Sequence, residues 1–188
     1  MNTKFLSGLI MLSLSLPLAC RAEVSNIAAN GFTIRHTVAT GATGDIAWKT
    51  MTRHVDEWWN PEHSWSGSAA NMYIEPKVGG CFCERLPGEG EERGGVEHLR
   101  IIYLDPGREI RFDGALGPLQ AIAVQGRMIW RIDTDADTGS TIAFTYMVHG
   151  FLDGGFAGLA PAVDGVISEQ LERLARRLQN IADSDRSD

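Results

Sequence analysis

Three short apolar runs, separated by tight turns, make up the stretch from residue 78 to residue 113. The turns are marked by the sequence PGEG at 87–90 and by DPG at 105–107. Glycine accepts positive φ angles, and proline fixes φ at about −65°. Tight turns use both of these backbone conformations. Runs joined in this way pair with their sequence neighbours. The stretch therefore predicts an antiparallel meander, which the rest of the chain must cover.

The flanking segments predict more strands and a short helix. Residues 32–40 (FTIRHTVAT) alternate strictly between apolar and polar, which indicates a half-buried strand. Residues 24–30 read as a lead-in to it. A helix is expected to begin at Thr43 or Asp45 and to continue to Trp58, because apolar residues recur every three or four positions there. Further strands are expected at 71–75, 121–133 and 140–149, which makes six or seven in all.

The last predicted element is a long amphipathic helix. Apolar residues recur every three or four positions from Val163 to Ile181, over about five turns. One helix can cover such a sheet only if the sheet curls around it. We therefore expect an α+β fold in which a curved antiparallel sheet wraps the C-terminal helix. The space between them would be lined by apolar side chains and could hold an apolar small molecule.

The N-terminus has the order of a secretory signal peptide. Lys4 precedes an apolar stretch at 5–18, and small residues lead to a cleavage point after Ala22. The alternative, a lipoprotein acylated at Cys20, is disfavoured by Pro17. These features predict a signal peptide at 1–22, a single domain at 23–188, and a periplasmic or secreted protein without a membrane span.

Charge and cysteine content narrow the possible partners. The net charge of −7 argues against nucleic-acid binding, which needs a basic face. Cys81 and Cys83 allow three interpretations: a disulfide, a buried reduced pair, or two ligands of a soft metal. The histidines lack ligand spacing, and no P-loop, dinucleotide fingerprint or GxSxG occurs. No metal and no cofactor are therefore expected.

Several short motifs resemble those of one superfamily. The SRPBCC superfamily, also called START-like or helix-grip, has similar segments in the same order over about residues 32–179. They lie at 43–48 (TGDIAW), 56–61 (DEWWNP), 76–82 (PKVGGCF), 95–96 (GV), 105–106 (DP), 111–112 (RF) and 171–174 (LERL). This resemblance implies the helix-grip fold, with the order strand, helix, meander and long closing helix.

The branch that the chain resembles is the one related to the activator of heat-shock-protein ATPase, whose members are often labelled polyketide cyclase-like. This chain differs in its signal peptide and in having Val166 near the point where the branch usually has tryptophan. Because the chaperone partner of the branch's namesake is cytosolic, an exported chain is not expected to bind it.

Candidate site residues come from the expected inward faces and from a loop rich in tryptophan. His36 and Tyr146 are the candidates for acid–base chemistry, although a satisfied core histidine is the alternative for His36. His98 and Arg100 are expected on the solvent face. The nine residues predicted to bind a ligand are His36, Trp58, Trp59, Trp65, Phe112, Met128, Trp130, Phe144 and Tyr146.

Three functions are compatible with these features. The first is an exported module that binds a small hydrophobic or aromatic molecule, because the sequence has apolar sheet faces but no recognisable catalytic set. The alternative is a cofactor-independent enzyme of the cyclase, dehydratase or hydrolase type that uses the same cavity. The second alternative is a protein-interaction adaptor of the cell envelope, which would expose a large apolar patch.

Overall fold

The computed structural model describes residues 21–90, 93–135 and 139–185, with side chains from residue 26 onward. Two α-helices and eight strands form in this part of the chain. The helices are α1 (Gly44–Arg53) and α2 (Leu159–Asp185). The strands are β1 (Arg21–Ala28), β2 (Gly31–Thr40), β3 (Met72–Ile74), β4 (Cys81–Arg85), β5 (Gly95–Asp105), β6 (Glu109–Asp113), β7 (Val124–Asp135) and β8 (Gly139–Gly150).

The strands form one antiparallel sheet in the order β1-β2-β8-β7-β6-β5-β4-β3. Helix α2 packs against this sheet mainly through β2. The predicted α+β architecture is therefore confirmed, as is the meander, which comprises β4, β5 and β6. The predicted count of six or seven strands is wrong, because β1 forms where the sequence indicated only a lead-in. The turn between β1 and β2 consists of two residues, Ala29 and Asn30.

The predicted signal peptide lies outside the described residues except for its last two positions. Arg21 and Ala22 begin β1, where they pair with Thr37 and His36 of β2. The strand continues to Ala28, which pairs with Gly31. Cleavage after Ala22 would remove the first two pairs of this ladder and leave the rest in place.

Aromatic side chains fill the centre of the space between the sheet and α2. The Trp130 ring stacks on Phe144 with 4.7 Å between ring centroids, and Phe112 meets it edge-on at 4.9 Å. Trp58 and Phe82 also meet it edge-on, at 5.9 and 6.1 Å. All five side chains are buried. Offset-stacked and edge-on pairs are the favoured aromatic arrangements, so this cluster is a packed core.

Helix α1 is shorter than the helix that the spacing of apolar residues predicted. The Thr43 side chain caps it by accepting a hydrogen bond from the Ile46 backbone N–H, as expected. It ends at Arg53, however, and Trp58 lies beyond it. The Trp58 indole N–H donates to the Thr50 carbonyl oxygen at 3.1 Å, and the same oxygen also accepts from the His54 backbone N–H at the helix end. Apolar spacing could not distinguish this returning ring from a further helical turn.

The two cysteines of β4 are joined. A disulfide links Cys81 to Cys83, whose Cα atoms are 5.4 Å apart. Phe82 lies between them and faces the core on the opposite side of the strand. The structure therefore selects one of the three interpretations that the sequence left open. None of the helices in the described ranges has both the length and the apolar character needed to cross a membrane.

Candidate functional site

A cavity of about 350 Å³ lies where the meander end of the sheet meets the first half of α2. Four segments contribute to its walls: the loop before β3, strand β5, the loop before β7, and α2. Apolar surface predominates. The lining residues are Trp59, Glu62, His63, Ser64, Trp65, His98, Leu116, Gly117, Pro118, Leu119, Leu159, Ala162, Val163, Val166 and Ile167.

A β-bulge brings His98 into this cavity wall. Phe82 of β4 pairs with Leu99 of β5, whereas the next residue, Cys83, pairs with Glu97. His98 is therefore the extra residue in β5, and a bulge of this kind turns a side chain away from strict alternation. His98 and Leu99 are consequently both buried, with His98 only 3% exposed. The prediction that His98 lies on the solvent face is wrong for this reason.

The His98 ring is held by a buried carboxylate. Glu84 lies on β4 two positions after Phe82 and shares its inward face. The His98 Nε2–H group donates to Glu84 Oε2 at 3.0 Å. The same carboxylate accepts hydrogen bonds from the backbone N–H groups of Trp65 and Ser66. Glu84 thus joins β4, the bulge in β5 and the loop that carries Trp65.

These hydrogen bonds set the charge of the pair. Burial alone would raise the pKa of Glu84, but the hydrogen bonds from Ser66, Trp65 and His98 outweigh it and lower that pKa. Burial lowers the pKa of His98, with the Glu84 carboxylate acting in the opposite direction. At neutral pH the pair is therefore an ionised Glu84 and a neutral His98 ring with its proton on Nε2.

Both shifts predict that the protein loses stability in acid. A group whose pKa is lower in the folded chain stabilises the fold above its unfolded-state pKa, and this stabilisation is lost as pH falls. The free energy of unfolding should therefore decline below about pH 6.5 because of His98, and further below about 4.5 because of Glu84. Each proton contributes a slope of at most about 1.4 kcal/mol per pH unit. Urea titrations between pH 4 and 8 would measure this slope.

The matched variant for this prediction is His98→Phe, which keeps a planar ring but cannot take up a proton. Between pH 6.5 and 5 its free energy of unfolding should fall less steeply than that of the wild type. Equal slopes for the two proteins over that interval would contradict the assignment of the pH dependence to His98.

The loop at residues 59–65, which forms one wall, is tied to α2 by side chains of both segments. Gln170 accepts a hydrogen bond from the Asn60 backbone N–H at 2.7 Å. His63 contacts Glu169 with 3.0 Å between Nε2 and Oε2. Burial alone would raise the pKa of Glu169, but hydrogen bonds from Asn60 and His63 lower it, helped by the nearby charge of Arg173. Hydrogen bonds therefore join the loop and the helix into one wall.

Tyr146 supports the wall formed by the loop before β7. Its hydroxyl accepts a hydrogen bond from the Leu116 backbone N–H at 2.9 Å and donates to the Gly114 carbonyl oxygen at 3.3 Å. Burial raises the pKa of Tyr146 to about 12. The phenol is therefore neutral. Its hydrogen bonds to backbone groups hold Leu116 in place in the cavity wall.

The structure brings two of the nine predicted ligand-binding residues to the cavity, Trp59 and Trp65. His36 lies on β2 and is hydrogen-bonded through Nε2 to Asp164 of α2 at 2.8 Å, away from the cavity lining. The other six are buried in the core, and none of them lines this cavity: Trp58, Phe112, Met128, Trp130, Phe144 and Tyr146.

Glu84 and His98 are the site residues that the sequence analysis missed. An acid two positions after Phe82 was a visible indication, because period-2 alternation puts both side chains on one face. Nothing in the sequence marks the bulge at His98. Across the part of the chain that the structure describes, no group of three or more His, Cys, Asp or Glu side chains is placed to hold a metal.

Comparisons with known proteins identify the fold. No family model matches the chain, and no curated protein is similar to it in sequence. Among solved structures, a protein of unknown function from Staphylococcus aureus superposes with a TM-score of 0.56 at 10% identity, covering 84% of this chain and 97% of that one. Protein Ms6760 from Mycobacterium smegmatis gives 0.56 at 14%, covering 86% and 97%.

A third solved structure, protein MLL2253 from Mesorhizobium loti, superposes with a TM-score of 0.54 at 16% identity, covering 83% of this chain and 98% of that one. At such identities the likeness shows the fold alone. The shared architecture is an antiparallel sheet with a long C-terminal helix, which is compatible with a helix-grip fold.

Proposed function

We propose that this chain is an exported START-like domain of the SRPBCC superfamily that binds a small hydrophobic or aromatic molecule. The ligand would occupy the cavity between the meander end of the sheet and α2. The observation that carries the proposal is the cavity itself, because about 350 Å³ of mainly apolar space lies between α2, strand β5 and two loops. Cavities of this size and character are typical of small-molecule sites.

The cavity lining favours an uncharged apolar ligand. Trp59 forms part of the buried wall, whereas Trp65 lies in a loop and is 56% exposed. Indole rings offer broad apolar faces to a flat or apolar molecule. Among the described residues, the lining contains no lysine or arginine that would pair with an anionic ligand, and its one carboxylate, Glu62, is exposed to solvent. Export is supported by the order of charged, apolar and small residues at 1–22 and by the disulfide, a bond that persists in oxidising compartments.

Filling the cavity with a side chain should abolish binding. Isothermal titration of the purified protein with 2-naphthol is expected to show saturable binding at one site. Val163→Trp places an indole in the cavity and should weaken that binding at least about tenfold, because ligand and side chain compete for one volume. The matched control is Gly165→Trp, which adds the same ring to α2 at a position where a Cβ atom would meet nothing beyond the adjoining helix backbone within 4 Å. Absence of binding, or equal binding by both variants, would contradict the proposal.

A second candidate function is favoured by the pair formed by Glu84 and His98. A carboxylate that orients a neutral histidine beside a cavity is the arrangement of a general base. This geometry supports a cofactor-independent enzyme of the cyclase, dehydratase or hydrolase type in the same cavity. Chromatography of the small molecule recovered after incubation separates the two functions, because a binding protein returns it unchanged and an enzyme returns a product.

A further inference from the structure

We propose that the ligand carries a hydrogen-bond donor, a hydroxyl or N–H group, and that Nδ1 of His98 accepts it. The cavity would then select uncharged apolar molecules with one such donor over molecules of the same shape that lack it. This inference rests on the proposed binding function and narrows it to a ligand class.

The first supporting observation is the state of the two ring nitrogens. Nε2 of His98 is engaged by Glu84, whereas Nδ1 is buried and has no hydrogen-bond partner among the described residues. The ring is itself part of the cavity lining. His36 also has a buried Nδ1 without such a partner, but its ring lies away from the cavity. A buried polar atom without a partner is costly, and a ligand that reaches His98 would remove that cost.

The second observation determines which kind of partner Nδ1 requires. Glu84 accepts hydrogen bonds from two backbone N–H groups and is ionised, so the ring proton lies on Nε2. Nδ1 of the neutral ring then presents a lone pair and can only accept. A ligand hydroxyl, phenol or N–H group complements it, whereas an ether or carbonyl oxygen does not.

The third observation concerns the other polar groups of the lining, three of which already have protein partners. The Trp59 indole N–H donates to the His63 carbonyl oxygen at 2.9 Å. Nε2 of His63 contacts Glu169, and the Ser64 hydroxyl donates to the Pro61 carbonyl oxygen at 2.7 Å. The donor hydrogens of Trp59 and Ser64 are therefore already engaged by protein carbonyls. Of the buried side-chain nitrogen and oxygen atoms without a partner among the described residues, only Nδ1 of His98 belongs to a residue of the cavity lining.

The test compares two probes of nearly the same shape, 2-naphthol and 2-methylnaphthalene, at pH 7.5. In the wild type the ratio of their dissociation constants should favour 2-naphthol. In His98→Phe that ratio should shift by about tenfold towards 2-methylnaphthalene, because the variant keeps an aromatic wall but has no acceptor. A third probe, 2-methoxynaphthalene, carries an oxygen that only accepts and should behave like the methyl compound in both proteins.

The possible outcomes distinguish a failure of this inference from a failure of the proposed binding function on which it rests. A loss of preference for 2-naphthol in His98→Phe, with 2-methylnaphthalene still bound, supports the acceptor role. Equal ratios in the two proteins would overturn it and leave the binding function standing. If the wild type binds none of the three probes, the binding proposal fails and this inference fails with it. Thermal melting of both proteins at pH 7.5 confirms that the compared samples are folded.

Discussion

Replacing Trp130 with alanine is expected to lower the free energy of unfolding by about 3–5 kcal/mol. The Trp130 side chain is 1% exposed and contacts the rings of Trp58, Phe82, Phe112 and Phe144. Its removal leaves a void between these four rings. The rings belong to three different strands and one loop, so they cannot all shift to fill the void. The loss combines the transfer free energy of the indole with the cost of that void. Urea denaturation at pH 7.5 would measure it.

The matched control is Trp65→Ala, the same substitution at a tryptophan that is 56% exposed. It should lower the free energy of unfolding clearly less than Trp130→Ala does, because more than half of the Trp65 surface remains in water in the folded chain. Trp65→Ala should weaken the binding of 2-naphthol more than Trp130→Ala does, since Trp65 lines the cavity and Trp130 does not. Comparable destabilisation by the two variants would show that the aromatic cluster is not the principal core.

Much of the fold was predictable because the local sequence and the tertiary structure agree. Strict alternation in residues 32–40 corresponds to β2, whose Phe32, Ile34 and Val38 side chains face the core. The turn at 105–107 connects β5 and β6. The repeat of apolar residues after Val163 became α2, whose buried face includes Ile167 and Leu171. In each case side-chain periodicity and turn chemistry point to the same structure.

The candidate site was less predictable because it depends on departures from those periodicities. His98 is buried only because an extra residue in β5 rotates it inward, and alternation places it on the outer face. Trp58 fits a helical spacing but follows the end of α1. Periodicity also marks which faces are apolar without indicating whether side chains fill the space between them. Phe144 and Tyr146 were therefore expected at a cavity that lies elsewhere.

The sheet and the cavity also have different physical origins. Apolar surface drives the central strands and α2 together, and large rings such as Trp130 fill that region. The cavity lies at the meander end, where loops rather than strands form much of the lining. Loops can leave such space only if their backbone groups find partners. Glu84 provides partners for the loop of Trp65 and Ser66, so one buried carboxylate maintains the wall.

Replacing Glu84 with alanine is therefore expected to cost at least about 3 kcal/mol of the free energy of unfolding. The substitution removes the acceptor of three donors at once: the backbone N–H groups of Trp65 and Ser66, and Nε2–H of His98. A buried donor without an acceptor costs about 1–3 kcal/mol. Hydrogen exchange should locate the damage, because the Trp65 and Ser66 amides should lose protection before those of β7 and β8.

The matched control is Glu97→Ala, which removes a carboxylate from the neighbouring strand. Glu97 pairs with Arg100 in an exposed ion pair, with side chains 43% and 54% exposed. Such pairs contribute about 0–1 kcal/mol, so this variant should remain close to the wild type. If both variants lost the same stability, or if the Trp65 and Ser66 amides kept their protection in Glu84→Ala, the carboxylate could not be what holds the cavity wall. The loss expected for Glu84→Ala should also shrink as pH falls below about 4.5, because protonation of the wild-type carboxyl group weakens the same contacts.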